Sequence, residues 1–234
     1  MLKVVSFKIC PFVQRVTALL EAKQIPYEIE YIRLKEKPEW FLEVSPHGQV
    51  PLVITDSGQA LFESEALIEY IEEVYPTLNS DRSAEEKAID RAWSYLASKL
   101  YLVQCSAQRS PDKNTLEQRS ESLNKAFAKI EKALENQSFF NSSTIGLVDI
   151  AWLPLLHRAN IIYRCSGYDF LDGYPKMKQW QQNLLATSIA EQSVAEDFDS
   201  RFCDFYLSNE TYLGQTCSAN KSSSNSACVS QSCC

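Results

Sequence analysis

The sequence predicts an α+β chain: a small mixed sheet with helices on both faces over roughly the first 75 residues, then a domain made of helices alone. Three observations carry this expectation. Short β-prone runs alternate with helical patterns as far as Tyr75. The polar stretch "PTLNSDRS" then breaks the last of those helices and reads as a linker. Beyond it the strand signals fade, and apolar residues recur at the 3.6-residue period.

The elements follow in order. "KVVSF", residues 3–7, is short and β-prone. From Val13 to Ala22, Val16, Leu19 and Leu20 fall at helical spacing. "PYEIEYIRL" alternates and reads as a second strand. "KPEWFLEVSP" opens on a proline suited to a first helical turn and stops before Pro46. "PLVIT" and "QALF" flank the turn signal "DSG", which makes a hairpin. "ESEALIEYIEEVY" places Ala66, Leu67, Tyr70, Ile71 and Val74 on one helical face. The order is βαβαββα, and its strand–helix–strand unit implies a parallel pair with a right-handed crossover. In the second half, 84–109 and 116–136 are helical by periodicity, and "GLVDIAWLPLLHRANIIY" is apolar enough to be the central helix of a bundle. "YPKMKQWQQNLLA" and "IAEQSVAEDF" complete the bundle. The expected units are residues 1–76, a linker over 77–83, a helical domain over 84–213, and a Ser/Cys-rich tail over 214–234. The tail has almost no large apolar residue to offset its chain entropy, so it is expected to be disordered.

Composition narrows the function. At 45% hydrophobic and 23% charged the chain is an ordinary globular protein, and a net charge of -7 argues against a nucleic-acid surface, which needs a basic stripe. "MLKVVSFKIC" does not read as a signal peptide, and no apolar run approaches the ~20 residues of a membrane span. A cytoplasmic protein with reduced thiols is the expectation. Of eight cysteines, Cys10, Cys105, Cys165 and Cys203 lie in the folded part, where no C-x-x-C pair occurs. With only His47 and His157 as histidines, no metal site is expected.

The chemical signal begins at "KICPFVQRV". Cys10 sits where the first strand gives way to a helix, with Pro11 suited to the first helical position. Free amides and the positive dipole end favour a thiolate there and lower its pKa. A buried packing cysteine is the alternative; the Cys-Pro at a strand-to-helix turn favours the nucleophile. Val13 stands where a second cysteine of a dithiol motif would be, so Cys10 needs an external thiol as partner unless a distant cysteine resolves it. In "HGQVPLVI", Pro51 opens a strand. It is either an ordinary trans edge proline, or a cis one that turns the Val50 backbone toward a peptide-like ligand. In "FESEALIEY", Ser64 is either a plain N-cap or part of a carboxylate-binding helix start, and Glu63 taken alone is a solvated side chain. Together these features suit a ligand with a thiol, a peptide-like middle and an α-amino-acid end, the three parts of glutathione.

"CPFVQR", "LKEKPEWF", "SPHGQVPLV" and "ESEALIEYIEEVYP" resemble the omega class of cytosolic glutathione transferases. "CPF" followed by glutamine and arginine is also similar to the plant lambda and dehydroascorbate reductase classes, and "TIGLVDIAWLPLL" resembles the family's buried helix. The resemblance implies a thioredoxin-like domain followed by a helical bundle. It implies glutathione as co-substrate, no metal, and a homodimer. It places a mixed disulfide with glutathione on Cys10, with Phe12 packed beside it, and the glycine carboxylate on Lys37, otherwise a surface lysine. Val50 would pair through its backbone with Pro51 cis, and Glu63 and Ser64 would hold the γ-glutamyl end. A cysteine in place of the tyrosine or serine of other classes implies thiol transfer or dehydroascorbate reduction. Conjugation of glutathione to electrophiles and a non-enzymatic binding module are the alternatives. The chain departs from the family pattern at Gly146, where Ser or Thr usually stands three residues before Asp149, and Asp149 is read as structural. Arg15 is read as a structural ion pair and His157 as a hydrogen-bonded core residue. Trp93, Tyr95, Tyr101 and Trp152 are read mostly as core, with an acceptor pocket as the alternative. The terminal Cys233–Cys234 pair is read as solvated thiols rather than a lipidation signal.

Overall fold

Strand alternation sorts the first domain's apolar residues onto two faces. β1 (Leu2–Ser6), β2 (Tyr27–Tyr31), β3 (Leu52–Ile54) and β4 (Ala60–Phe62) form one sheet in the order β2-β1-β3-β4. β1 and β2 are parallel, with α1 (Pro11–Ala22) as their crossover, and the other pairs are antiparallel. Val4 and its register partner Val53 point into the main core with Val16 and Leu20 of α1 and Leu67 and Ile71 of α3 (Ser64–Val74). Their neighbours Val5 and Leu52 point the other way, into a smaller cluster with Ile32 and Phe41, the latter from α2 (Glu39–Val44). Burying each such side chain contributes about 1.5–3 kcal/mol, so the small cluster suffices to hold α2 on its face of the sheet. This is the expected α+β arrangement of a thioredoxin-like sheet domain followed by helices.

The computed structural model describes residues 1–78 and 81–217. Asn79 and Ser80 of the expected linker, and the tail from 218 to 234 with its terminal cysteine pair, lie outside the described residues. The second half consists of α4 (Ala84–Gln108), α5 (Lys113–Ala133), α6 (Leu147–Ser166), α7 (Pro175–Leu185), α8 (Ile189–Gln192) and α9 (Phe198–Tyr206). α6 packs against both α4 and α1, so it joins the bundle to the sheet domain. Trp152 and Tyr101 are fully buried and Trp93 partly so, whereas Tyr95 is exposed.

Asp149 locks the start of α6. Its carboxylate accepts from the Gly146 amide at 2.8 Å, the Phe140 amide at 2.9 Å and the Trp180 indole at 2.6 Å. The reach back to Gly146 is one half of a capping box; the other half, a Ser or Thr side chain accepting from the Asp149 amide, has no counterpart at glycine. Burial pushes the carboxyl up to about 6, against the lowering by those donors.

The C-terminal end needs one addition and one correction. The first residues of "IAEQSVAEDF" form the short α8, and a further helix not singled out in the sequence, α9, starts at Phe198. α9 carries Phe198, Phe202 and Tyr206 at i, i+4 and i+8, all buried. The tail begins later than composition suggests. Residues 212–217 are helical, with Leu213 and Cys217 buried. The Tyr212 amide donates to the Ser110 carbonyl at 2.8 Å, which ties this segment to the turn after α4, and the Gly214 amide donates locally to the Thr211 hydroxyl at 3.1 Å.

Candidate active site

The turn after β1 delivers Cys10 to the first position before α1. Its amide donates to the Phe7 carbonyl at 2.9 Å, its carbonyl accepts from the Gln14 amide at 3.2 Å, and Pro11 opens the helix. Ser, Thr, Asp or Asn would usually stand here to cap the free amides. A thiol stands there instead, and α1 has no side-chain cap. The Cys10 sulfur faces the Val50 carbonyl at 3.9 Å. Val50 precedes β3, and the Val50–Pro51 peptide is cis.

The expected lowering of the Cys10 thiol is not what its surroundings produce. Burial pushes it up, while the Val13 and Phe12 amides and the Arg158 guanidinium pull it down without overcoming burial. Cys10 is half-buried: a cavity reaches it on one side and protein encloses the rest. Arg158 is a buried cation at its back, held by Gln14, by the Pro154 carbonyl at 2.9 Å and by the Ile9 carbonyl at 3.2 Å. His157, next to it, is a neutral core residue. It accepts from the Gln14 side chain at 2.9 Å, and burial followed by the charge of Arg158 holds it down at about 4. Arg15, itself buried, forms an ion pair with the partly exposed Glu65 at 3.3 Å, and Ser98 of α4 donates to the same carboxylate at 2.6 Å.

A cavity of about 400 Å³ gathers all seven residues singled out in the sequence: Cys10, Phe12, Lys37, Val50, Pro51, Glu63 and Ser64. That volume suits a small-molecule ligand. Phe12 packs edge-on against Tyr101 with ring centroids 5.1 Å apart, beside the sulfur. Lys37 is half-buried, and its ammonium lies 3.5 Å from where a side chain at Gly48 would begin. Gly48 has φ +56, a conformation that glycine tolerates and that leaves this space to the lysine.

Glu63, not Ser64, occupies the position before α3, so the plain N-cap reading of Ser64 does not hold. Ser64 is the first helical residue; its hydroxyl is buried and donates to Glu65 at 3.2 Å. Glu63 itself has φ 68, rare for a residue with a side chain and costing on the order of 1–3 kcal/mol. Neither Lys37 nor Glu63 forms an ion pair among the described residues. The cavity thus presents an unpaired cation, an unpaired anion and a thiol.

Sequence reasoning missed His47, Gln49, Phe62 and Leu102, which also line the cavity. His47 and Phe62 touch edge to face, with centroids 6.0 Å apart. Leu102 is the bundle's contribution, and none of the four aromatics considered for an acceptor pocket lines this cavity. No periodicity marks Leu102 apart from other α4 leucines. Among the described residues, no group of three or more His, Cys, Asp or Glu is placed to hold a metal ion, and no helix is long and apolar enough to cross a membrane.

Comparison with known proteins agrees with this layout. Residues 9–74 match the glutathione S-transferase N-terminal domain, and residues 113–182 match the C-terminal domain. The chain is 31% identical over 215 residues to glutathione S-transferase omega-1 of Sus scrofa, covering 89% of this chain and 87% of that one. It is 27% identical over 188 residues to a probable glutathione S-transferase, DHAR2, of rice (Oryza sativa subsp. japonica), covering 80% of this chain and 65% of that one. A solved glutathione S-transferase from Methylobacillus flagellatus, with glutathione bound, superposes with a TM-score of 0.71 at 19% identity, covering 83% of this chain and 99% of that one. With both domains matched in sequence and the arrangement shared in space, the chain belongs to the glutathione S-transferase family, on its omega-like side.

Proposed function

We propose that the protein is a glutathione-dependent thiol transferase of the dehydroascorbate reductase type, working through a mixed disulfide between Cys10 and glutathione. The observation that carries this is the content of the cavity: a thiol at an uncapped helix start, with an unpaired Lys37 and an unpaired Glu63 beside it. Glutathione offers matching groups, a sulfur, a glycine carboxylate for Lys37 and an α-ammonium for Glu63. The Val50 backbone and Ser64 complete the binding set, and Phe12 packs beside the sulfur. In the first half-reaction the Cys10 thiolate attacks a glutathione mixed disulfide, forms Cys10–S–SG and expels the other thiolate. With dehydroascorbate, Cys10 and glutathione together lose two electrons and two protons, which reduce the substrate to ascorbate. A second glutathione thiolate then attacks the mixed disulfide, freeing Cys10 and leaving as oxidised glutathione. The Phe12 and Val13 amides stabilise the Cys10 thiolate each time it is released. We read the enzyme as cytoplasmic and homodimeric; exposed Phe62, Val74 and Ile89 supply apolar surface for a second copy, which sedimentation would detect.

Cys10→Ala tests the reading. Dehydroascorbate and mixed-disulfide reduction fall by at least about 10³-fold in the variant, while glutathione still binds. A variant that keeps its reductase activity removes Cys10 from the mechanism. Wild type that only conjugates glutathione to chloronitrobenzene favours the conjugating alternative. The pH dependence gives a second check. Because the thiol is pushed above its ordinary 9.0, the thiolate fraction, and with it iodoacetamide labelling of the Cys10 peptide, is still climbing at pH 9. A labelling rate already level at pH 7 means that the helix end wins over burial.

A further inference from the structure

A pair of sulfurs lies outside the residues that line the cavity. Cys165, near the end of α6, and Cys203, in α9, have their sulfurs 3.5 Å apart. Both residues are half-buried, so a small reagent reaches them. The helices that carry them are already held in register beside the pair. Arg164, the preceding residue, donates to Asp199 at 2.6 Å, and Asp199 lies one helical turn before Cys203. A disulfide bond is about 2.0 Å long, so the sulfurs need to close by only about 1.5 Å.

We propose that Cys165 and Cys203 form a second, reversible thiol–disulfide centre, oxidised by a small disulfide such as oxidised glutathione. One thiolate of the pair attacks the small disulfide, forms a mixed disulfide and releases one glutathione thiolate. The partner thiolate then attacks the protein sulfur of that mixed disulfide and releases the second. Two protein thiols and one oxidised glutathione become one protein disulfide and two glutathiones. Reduced glutathione in excess reverses both steps.

The bond would fasten α9 to α6, and α9 supports the turn that carries Cys10. Asp197, just before α9, accepts from Lys8 at 2.9 Å, two residues ahead of Cys10. Phe198 stacks on His157 at 5.3 Å and lies 5.2 Å from the Arg158 guanidinium. The state of this pair therefore bears on the backing of the catalytic cysteine, yet its chemistry does not depend on Cys10.

The full chain and its Cys10→Ala variant are equilibrated in glutathione buffers of increasing oxidised fraction, quenched with N-ethylmaleimide, digested without reduction and mapped by mass. The Cys10→Ala arm keeps the readout independent of the proposed catalytic reaction. The expected result is a peptide pair joined through Cys165 and Cys203, two hydrogens lighter than the reduced pair, absent from Cys165→Ser and from Cys203→Ser. Oxidation raises the unfolding midpoint of the chain by on the order of 5–10 °C, and neither serine variant shows that rise. Cys165 and Cys203 recovered as separate alkylated or glutathionylated thiols across the whole range, or Cys203 joined to Cys217, overturns the proposal.

Discussion

The starts of α4 to α7 and those at the cavity are finished in opposite ways. α4 opens on a closed capping box, in which the Ser83 hydroxyl accepts from the Glu86 amide and the Glu86 carboxylate from the Ser83 amide. Asp112 caps α5 by accepting from the Thr115 amide at 2.8 Å. Asp149 closes α6, and Glu131 reaches across from α5 to take the Lys176 and Met177 amides of α7. α1 and α3 have no side-chain cap, and both begin at the cavity, on Cys10 and Glu63. Free amides at a helix start are a standing electrostatic resource. At α4 to α7 the chain spends that resource on its own stability. At the cavity it leaves it for sulfur and for a ligand.

The comparison is broken most severely by Asp149→Ala. Three donors, two of them buried, lose their acceptor, and the α6 start that joins bundle to sheet opens. The expected cost is about 3 kcal/mol in urea unfolding, with glutathione affinity unchanged in the fraction that stays folded. A loss below about 1 kcal/mol means that the closed start of α6 is dispensable.

Most of the fold was legible because its causes are local. Strand alternation, the "DSG" turn and the 3.6-residue period mark every element through α7. α9 was missed because its apolar residues Phe198, Phe202 and Tyr206 are interrupted by Asp199, Arg201 and Asp204, and because a Ser-rich tail follows closely. At the site, Cys10 and Pro11 were legible because one dipeptide carries both the sulfur and the helix start. The upward direction of the Cys10 shift was not. Burial by distant segments raises it against the nearby Val13 and Phe12 amides and against Arg158, which lies 148 positions further along and meets Cys10 only in the folded chain. The positive φ of Glu63 was equally hidden, since nothing in "FESEA" demands it.

A smaller effect separates the cavity's charges from the bundle's. The bundle's exposed pairs, such as Lys125 with Glu121 at 3.4 Å, contribute little, about 0–1 kcal/mol. Lys37 has no such partner among the described residues, and in the proposed function its charge is held for the ligand. Lys37→Met raises the KM for glutathione about tenfold, the worth of one charge-assisted contact, and leaves kcat and the unfolding midpoint nearly unchanged. A KM shift under twofold removes Lys37 from the binding set.

The smallest effect is the most direct comparison of the two kinds of helix start. Cys10→Ser turns the start of α1 into one of the bundle's kind. The Phe12 and Val13 amides are the groups that pull the Cys10 thiol down, and a hydroxyl oxygen placed there accepts from them as an ordinary cap does. The side chain keeps nearly its size, and its O–H can still face the Val50 carbonyl. The expected gain is about 0.5–1 kcal/mol, or roughly 1–4 °C in the unfolding midpoint, in a protein whose reductase activity is gone. Stability and activity then move in opposite directions at one atom, because the amides that a cap would satisfy are those that a thiolate needs. A serine variant no more stable than wild type means that these amides are already satisfied, and that the opening at α1 is one of sequence only.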